Sequence, residues 1–198
     1  MLKFKECSIR NYFGENFLTI KELTLEKSEV IQIVGRNNSG KSLFCDFILS
    51  HPNGFEDSFE ILTEKPIIIK IGINDNLIDE ISVLKNILIP FKRKSENLKS
   101  KIFDSVKIFN FEDIDNLYPK NMSFSDKKII EIIRAVSRKP HLIIIDDFDL
   151  MFDEIKFIKV ISLIENSLKS GTSFIFTAKN KIDRIPKTYK ISNGFLVK

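Results

Sequence analysis

Two short stretches concentrate the residue types that do chemistry. In the first, the apolar run Val30-Ile31-Gln32-Ile33-Val34 leads into Gly35-Arg36-Asn37-Asn38-Ser39-Gly40-Lys41-Ser42, which fits the pattern G-x-x-x-x-G-K-[ST] in full. Gly35 and Gly40 let the backbone bend, so that successive N–H groups along this loop point inward at phosphate oxygens. Lys41 supplies a point charge to the β- and γ-phosphates, and the Ser42 hydroxyl suits Mg²⁺. The stretch Leu43–Leu49 reads as a helix whose positive end faces the same anion. The residues from Gly35 to Leu43 are therefore expected to hold a nucleoside triphosphate with Mg²⁺.

The second stretch is Leu142-Ile143-Ile144-Ile145-Asp146-Asp147, a buried strand ending in paired carboxylates. Taken alone, two aspartates after a strand are more often a helix cap or a turn. Beside a phosphate loop the balance reverses, because a magnesium–nucleotide complex needs a carboxylate at a neighbouring strand end. Asp146 is the expected metal ligand together with Ser42. Asp147 is placed to orient or deprotonate the attacking water.

The rest of the chain must position these residues. Residues 2–25 alternate irregularly between apolar and polar, which predicts two or three short strands with a turn near Asn11–Asn16. Tyr12 or Phe13 in that turn lies against an adenine ring or is an ordinary core or rim aromatic. Residues 51–64 carry Pro52, Asn53 and Gly54 and read as a loop. Ile67–Ile73 reads as a buried strand ending at the polar segment Asn74-Asp75-Asn76. From Ser82 to Phe109 the period turns helical: Val83, Leu84, Ile87 and Leu88 form one face before Pro90, and Leu98, Ile102, Phe103, Val106 and Phe109 another. Lys92–Glu96 between them reads as a solvated connection. Residues 126–138 predict a further helix, with Ile129, Ile130, Ile132, Ile133 and Val136 inward and Lys127, Lys128, Glu131 and Arg134 outward. Its start at Ser123-Phe124-Ser125-Asp126 resembles a capping box with Asp in place of Glu. Phe157 to Leu168 marks one more helix, Ser173–Thr177 one more core strand, and Asn193-Gly194 a terminal hairpin.

At 198 residues, with 43% hydrophobic and 29% charged residues and a net charge of +4, the chain has the composition of one soluble domain. Its apolar runs are far short of a membrane span, and the N-terminus lacks the apolar core of a signal peptide. Cys7 and Cys45 form no disulfide framework or metal pattern. Alternating strands and helices around a phosphate loop predict an α/β fold: a P-loop NTPase core with a mainly parallel sheet flanked by helices, N-terminal antiparallel strands and an inserted helical subdomain. The expected division is a single domain, 1–198, with its core in 1–74 and 140–198 and the helical subdomain in 75–139.

The order of these elements resembles the ATP-binding subunit of ABC transporters across nearly the whole chain. Gly35–Ser42 matches Walker A, and Leu142–Asp146 matches Walker B. Tyr118-Pro119-Lys120-Asn121-Met122-Ser123-Phe124-Ser125-Asp126 falls where the family carries Tyr-Pro, two residues, then Leu-Ser-Gly-Gly-Gln. Leu150–Asp153 sits where its D-loop lies. Within the family, Leu84–Pro90 and the short C-terminus look most like the FtsE and LolD group. The resemblance implies dimerisation around two ATP molecules, as a homodimer or a heterodimer with another ABC subunit. It also implies an integral membrane, permease-like partner (FtsX- or LolCE-like), a cytoplasmic location on the inner face of the membrane, and Asn74 and Ser123 as nucleotide contacts. A nucleic-acid partner is not expected, since there is no coiled-coil insertion and no strong basic stripe.

The departures from the family concern hydrolysis. Asp147 stands where the family has Glu. Phe124-Ser125-Asp126 replaces Gly-Gly-Gln, and glycines there allow close backbone approach to the opposite subunit's ATP. Asn74 replaces a glutamine, and Lys179 replaces the switch histidine, as a fixed cation that shuttles a proton less readily. These changes lead to an expectation of slow turnover, with Asp147 and Lys179 as the catalytic candidates. The alternatives are a non-hydrolysing, ATP-dependent scaffold, the degenerate half of a heterodimer, and a small-molecule P-loop kinase.

Overall fold

In the computed structural model, which describes residues 2–11, 13–55 and 58–198, the chain begins with an antiparallel hairpin. Strand β1 (Leu2–Arg10) pairs with β2 (Asn16–Leu25) along nearly its whole length. The sequence reading of two or three short strands is thus replaced by two long ones. The irregular alternation has a cause: the buried positions change phase between Phe4 and Cys7 on β1 and between Leu23 and Ile20 opposite, beside Glu6 at φ 45°.

Strand β3 (Val30–Val34) then enters the sheet and ends at the glycine loop, from which helix α1 (Lys41–Ser50) departs. The segment expected to be a loop contains a short strand, β4 (Phe59–Ile61), paired antiparallel to β1. Its signal is little more than one aromatic, Phe59, which stacks on Phe4 at 4.2 Å between centroids. Strand β5 (Ile68–Ile71) was expected to be buried, but Ile71 alone of it is. It lies at the sheet edge with β6 (Leu142–Ile145) on one side, so Ile67 and Ile73 just outside it stay exposed.

Helices α2 (Val83–Leu88), α3 (Glu96–Lys107) and α4 (Phe124–Ser137) follow, each opened by a serine whose hydroxyl accepts a first-turn N–H. The Lys92–Glu96 connection is exposed, as expected. Helix α5 (Glu154–Lys169) connects β6 to β7 (Ser173–Ala178), and β8 (Lys187–Ser192) and β9 (Phe195–Val197) close the chain as a hairpin. Asn193 and Gly194 both have positive φ there, as a two-residue primed turn requires.

Among the described residues the strands form one mixed sheet in the order β4-β1-β2-β9-β8-β3-β7-β6-β5. The central run β8-β3-β7-β6-β5 is parallel. Side-chain alternation sorts each strand between two cores. Leu142, Ile144 and Ile175 join α1 and the β1–β2 hairpin, while Ile143, Ile145, Phe174 and Phe176 join α2 to α5. The parallel strands therefore end side by side, and their C-terminal ends carry Gly35, Asp146 and Thr177.

One expectation on α4 fails. Lys128 and Glu131 were placed on the outer face but are 0% and 2% exposed, whereas Lys127 and Arg134 keep more exposure. Their ammonium and carboxylate pair at 3.0 Å inside the protein. The reason is a contact distant in sequence: the segment after β5 crosses over this face and offers backbone groups to both.

Candidate nucleotide site

Gly35 is buried where β3 ends, and any Cβ on it would stand 2.5 Å from Ser39 Oγ. Gly40 has φ 102°, and a Cβ there would press into the Phe17 ring at 2.9 Å. The loop between them curls tightly enough that Lys41 folds back, donating from Nζ to Gly35 O at 3.1 Å and Arg36 O at 3.2 Å. Helix α1 starts from Gly40 with no side-chain cap and no acidic residue in its first turn. Its first N–H groups are thus open to an anion, with the helix dipole behind them. Ser39 Oγ is buried without a hydrogen-bond partner, the condition of a donor awaiting a ligand.

A cavity of about 580 Å³ opens over this loop, lined by Asn37, Asn38, Gly40, Lys41, Ser42 and Leu43 with Asn11, Phe17, Ile73, Asp147 and Leu150. A second, of about 420 Å³, is lined by Ser42, Lys70, Gly72, Ile73, Asn74, Asn76, Asp146 and Asp147. The two share Ser42, Ile73 and Asp147, so they are neighbouring parts of one cleft. The volume suits a nucleotide.

The carboxylates reach the cleft from the end of β6. Asp146 is 6% exposed; its Oδ1 accepts from Thr177 Oγ1 at 2.5 Å and its Oδ2 lies 3.3 Å from Lys70 Nζ. Thr177 also accepts the Asp147 N–H at 2.8 Å, so one hydroxyl on β7 positions both aspartates. Asp147 adopts φ 54°, ψ 47°, a left-handed turn that Asp tolerates better than most residues. It aims its carboxylate at Lys41, with Oδ1 3.9 Å from Nζ. Burial and the neighbouring Asp146 charge raise the Asp147 pKa, against the opposing pull of Lys41.

The structure gathers Gly35 to Leu43, Asn74, Asp146 and Asp147 around the cleft. Arg36 is exposed on the loop. Lys179 is exposed just past β7, its backbone N–H held by Asp149 Oδ2 at 2.9 Å. Ser123 caps α4 away from both cavities, its hydroxyl engaged by Asp126, with which it shares bonds of 3.2 and 2.6 Å. Lys156 closes that group from α5, 2.7 Å from Asp126 Oδ1. Tyr12 lies outside the described residues.

Sequence reading missed several participants. Phe17 and Asn11 line the cleft from the β1–β2 hairpin, and nothing in their spacing announces it. Thr177 faces the aspartates because β7 pairs with β6 in a register that sets Phe176 against Ile145. Lys70 did leave a signal, as the one charge within Ile67–Ile73. The buried Lys128–Glu131 pair holds the segment bearing Asn74: Lys128 Nζ donates to Asn74 O at 2.6 Å, and Glu131 Oε1 accepts the Asn76 N–H at 3.0 Å.

A family model described as ABC transporter matches residues 18–148, two-thirds of the chain and both motifs. The chain belongs to the ABC transporter family. Among relatives of this ABC chain, the lipoprotein-releasing system ATP-binding protein LolD of Buchnera aphidicola subsp. Acyrthosiphon pisum is 27% identical over 192 residues, covering 86% of this chain and 83% of LolD. The methionine import ATP-binding protein MetN of Lactobacillus acidophilus is 23% identical over 186 residues, covering 83% of this chain. The chain spans only 53% of that MetN subunit. In three dimensions it superposes on an ATP-binding subunit of an ABC transporter with TM-score 0.79 at 18% identity, over 99% of this chain and 88% of the other. A dimeric ATP-binding cassette bound to ADP and Pi gives TM-score 0.75, also at 18% identity, over 100% of this chain and 97% of the other. These likenesses establish the ABC ATPase fold.

Proposed function

We propose that this chain is the ATP-binding and ATP-hydrolysing subunit of an ABC-type system, coupling nucleotide-driven dimerisation to a membrane partner, with slow hydrolysis. The observation that carries the reading is the meeting of the two motifs: Asp147 stands 3.9 Å from Lys41 across a cleft that both motifs line. The open N–H groups of α1, the orphan Ser39 hydroxyl and the Lys41 ammonium together suit a triphosphate. Ser42 and Asp146 offer hard oxygens of the kind magnesium takes from a protein when phosphate supplies the rest, although the Lys70 ammonium, 3.3 Å from Asp146 Oδ2, already competes for that place. Bound with the nucleotide, magnesium would supply positive charge to the phosphates. Asp147 positions the attacking water, its raised pKa suiting a proton acceptor, and Lys179 contacts the γ-phosphate end in the assembled dimer.

Residues 75–139 act as the helical subdomain that meets the membrane subunit, in keeping with the functions named for LolD and MetN. A groove of about 360 Å³ between β5 and α4, lined by Ile69, Ile71, Ile89, Pro90, Arg134 and Arg138, supports docking there. The partner would be an FtsX- or LolCE-like permease, and an FtsE-like role in cell division is the specific form of the reading. None of the described helices is long and apolar enough to cross a membrane, so they do not supply the membrane part.

A second reading, a nucleotide-gated scaffold or the weak half of a heterodimer, is favoured by one observation. The Ser123 hydroxyl is already bonded to Asp126, which Lys156 neutralises, so the segment meant for a second ATP carries its own anion. Phosphate release from Mg²⁺·ATP separates the readings: release abolished by Lys41→Ala supports the first, and binding without release supports the second.

A further inference from the structure

Lys70 is the one charged side chain on β5, and its ammonium sits within the cleft. Its Nζ lies 2.6 Å from Asp46 Oδ1 on α1 and 3.3 Å from Asp146 Oδ2 on β6. Asp46 is one helical turn beyond Ser42, so these two side chains share a face of α1. The ammonium therefore stands between the two elements that supply the expected metal ligands. It is held by carboxylates from both, with its side chain only 21% exposed.

We propose that Lys70 is a built-in cation at the magnesium position, engaging Asp146 and making nucleotide binding only weakly dependent on Mg²⁺. This rests on the reading of the cleft as a nucleotide site. A divalent ion entering beside Asp146 meets a fixed like charge at short range, in a partly desolvated place where charges interact more strongly than in water. It must also compete for a carboxylate oxygen that already has a charged partner, while Thr177 holds the other oxygen. Withdrawing Lys70 to make room would break its bonds to two elements at once. The same ammonium adds positive charge to the cleft that Ser42 also lines, where the metal would otherwise supply it to the phosphates. Lys70 is in this sense a positioning residue for Asp146 and an electrostatic substitute for part of the metal's charge.

The test is titration of a fluorescent ATP analogue into the purified chain, in excess Mg²⁺ and in EDTA, for wild type, Lys70→Met and Lys70→Arg. The expected result is a wild-type affinity that changes by less than about threefold between the two conditions. In Lys70→Met, Mg²⁺ tightens binding by at least about tenfold, and Lys70→Arg behaves as wild type. Equal Mg²⁺ dependence in wild type and Lys70→Met overturns the proposal. So does a strong dependence in wild type alone, a limb that needs no variant to fold. Absence of binding under both conditions overturns the nucleotide-site reading itself, which is a different result from binding whose metal dependence ignores Lys70.

Discussion

Lys128 Nζ and Glu131 Oε1 lie 3.0 Å apart in the interior, and each also holds a backbone group of the Asn74–Asn76 segment. The aromatic ring of Phe124, within the altered signature, stacks 5.4 Å from the same ammonium. One buried ion pair thus ties the start of α4 to the loop that lines the cleft. Removing one partner strands a buried charge, so Lys128→Met is expected to cost about 3–5 kcal/mol. Lys128→Met with Glu131→Leu removes both charges and should restore part of that loss, leaving the cost of the unpaired Asn74 and Asn76 backbone groups. Urea unfolding of wild type and the two variants measures this. A double variant no more stable than the single one would show that the pair itself is not the linkage.

Asp147 carries two energetic burdens. It sits in a left-handed conformation, and its partly buried charge lies near that of Asp146. Because its folded pKa is raised, the folded state holds this proton to higher pH than the unfolded chain does. The resulting stability is present below the ordinary Asp pKa and is lost as pH rises through the folded pKa. Asp147→Asn keeps a residue that tolerates positive φ and removes the charge. It should raise the melting temperature at neutral pH by about 2–4 °C, near 1 kcal/mol for a chain this size. Its ATP turnover should fall to background. Thermal melts across pH check the first part and phosphate release the second.

Asp126 behaves oppositely. Burial would raise its pKa, but the Lys156 and Ser123 hydrogen bonds outweigh that and lower it. Its contribution is therefore present above the ordinary Asp pKa and is lost as pH falls through the folded value. At neutral pH the clasp on Ser123 is fully charged. Asp126→Gln together with Phe124→Gly is expected to free the Ser123 hydroxyl and increase ATP-dependent dimerisation by about tenfold in dissociation constant. Light scattering with and without ATP reads this, and an unchanged association state would remove the clasp as the cause of any weak dimer.

The phosphate loop and the paired aspartates were legible because their chemistry is local. Gly35, Gly40, Lys41 and Ser42 must follow one another at fixed spacing, and Asp146 must end an apolar strand. The helices α2 to α5 were legible from their periods. What escaped depended on contacts distant in sequence. β4 exists because Phe59 meets Phe4, and β5 is half exposed because it ends the sheet. Lys128 and Glu131 look like outward residues on a helical wheel until the segment from Asn74 to Asn76 is laid over them. Lys70 was visible as a charge in an apolar run, but its partners Asp46 and Asp146 are assembled only by the fold.

The central claim is that the two motifs form one working ATP site. Phosphate release from purified protein with Mg²⁺·ATP, with ATP binding measured on the same sample and Lys41→Ala as control, tests it most directly. The account predicts slow release above the Lys41→Ala background, from protein that binds ATP. Failure of the wild-type chain to bind ATP, or release that persists undiminished in Lys41→Ala, would contradict it.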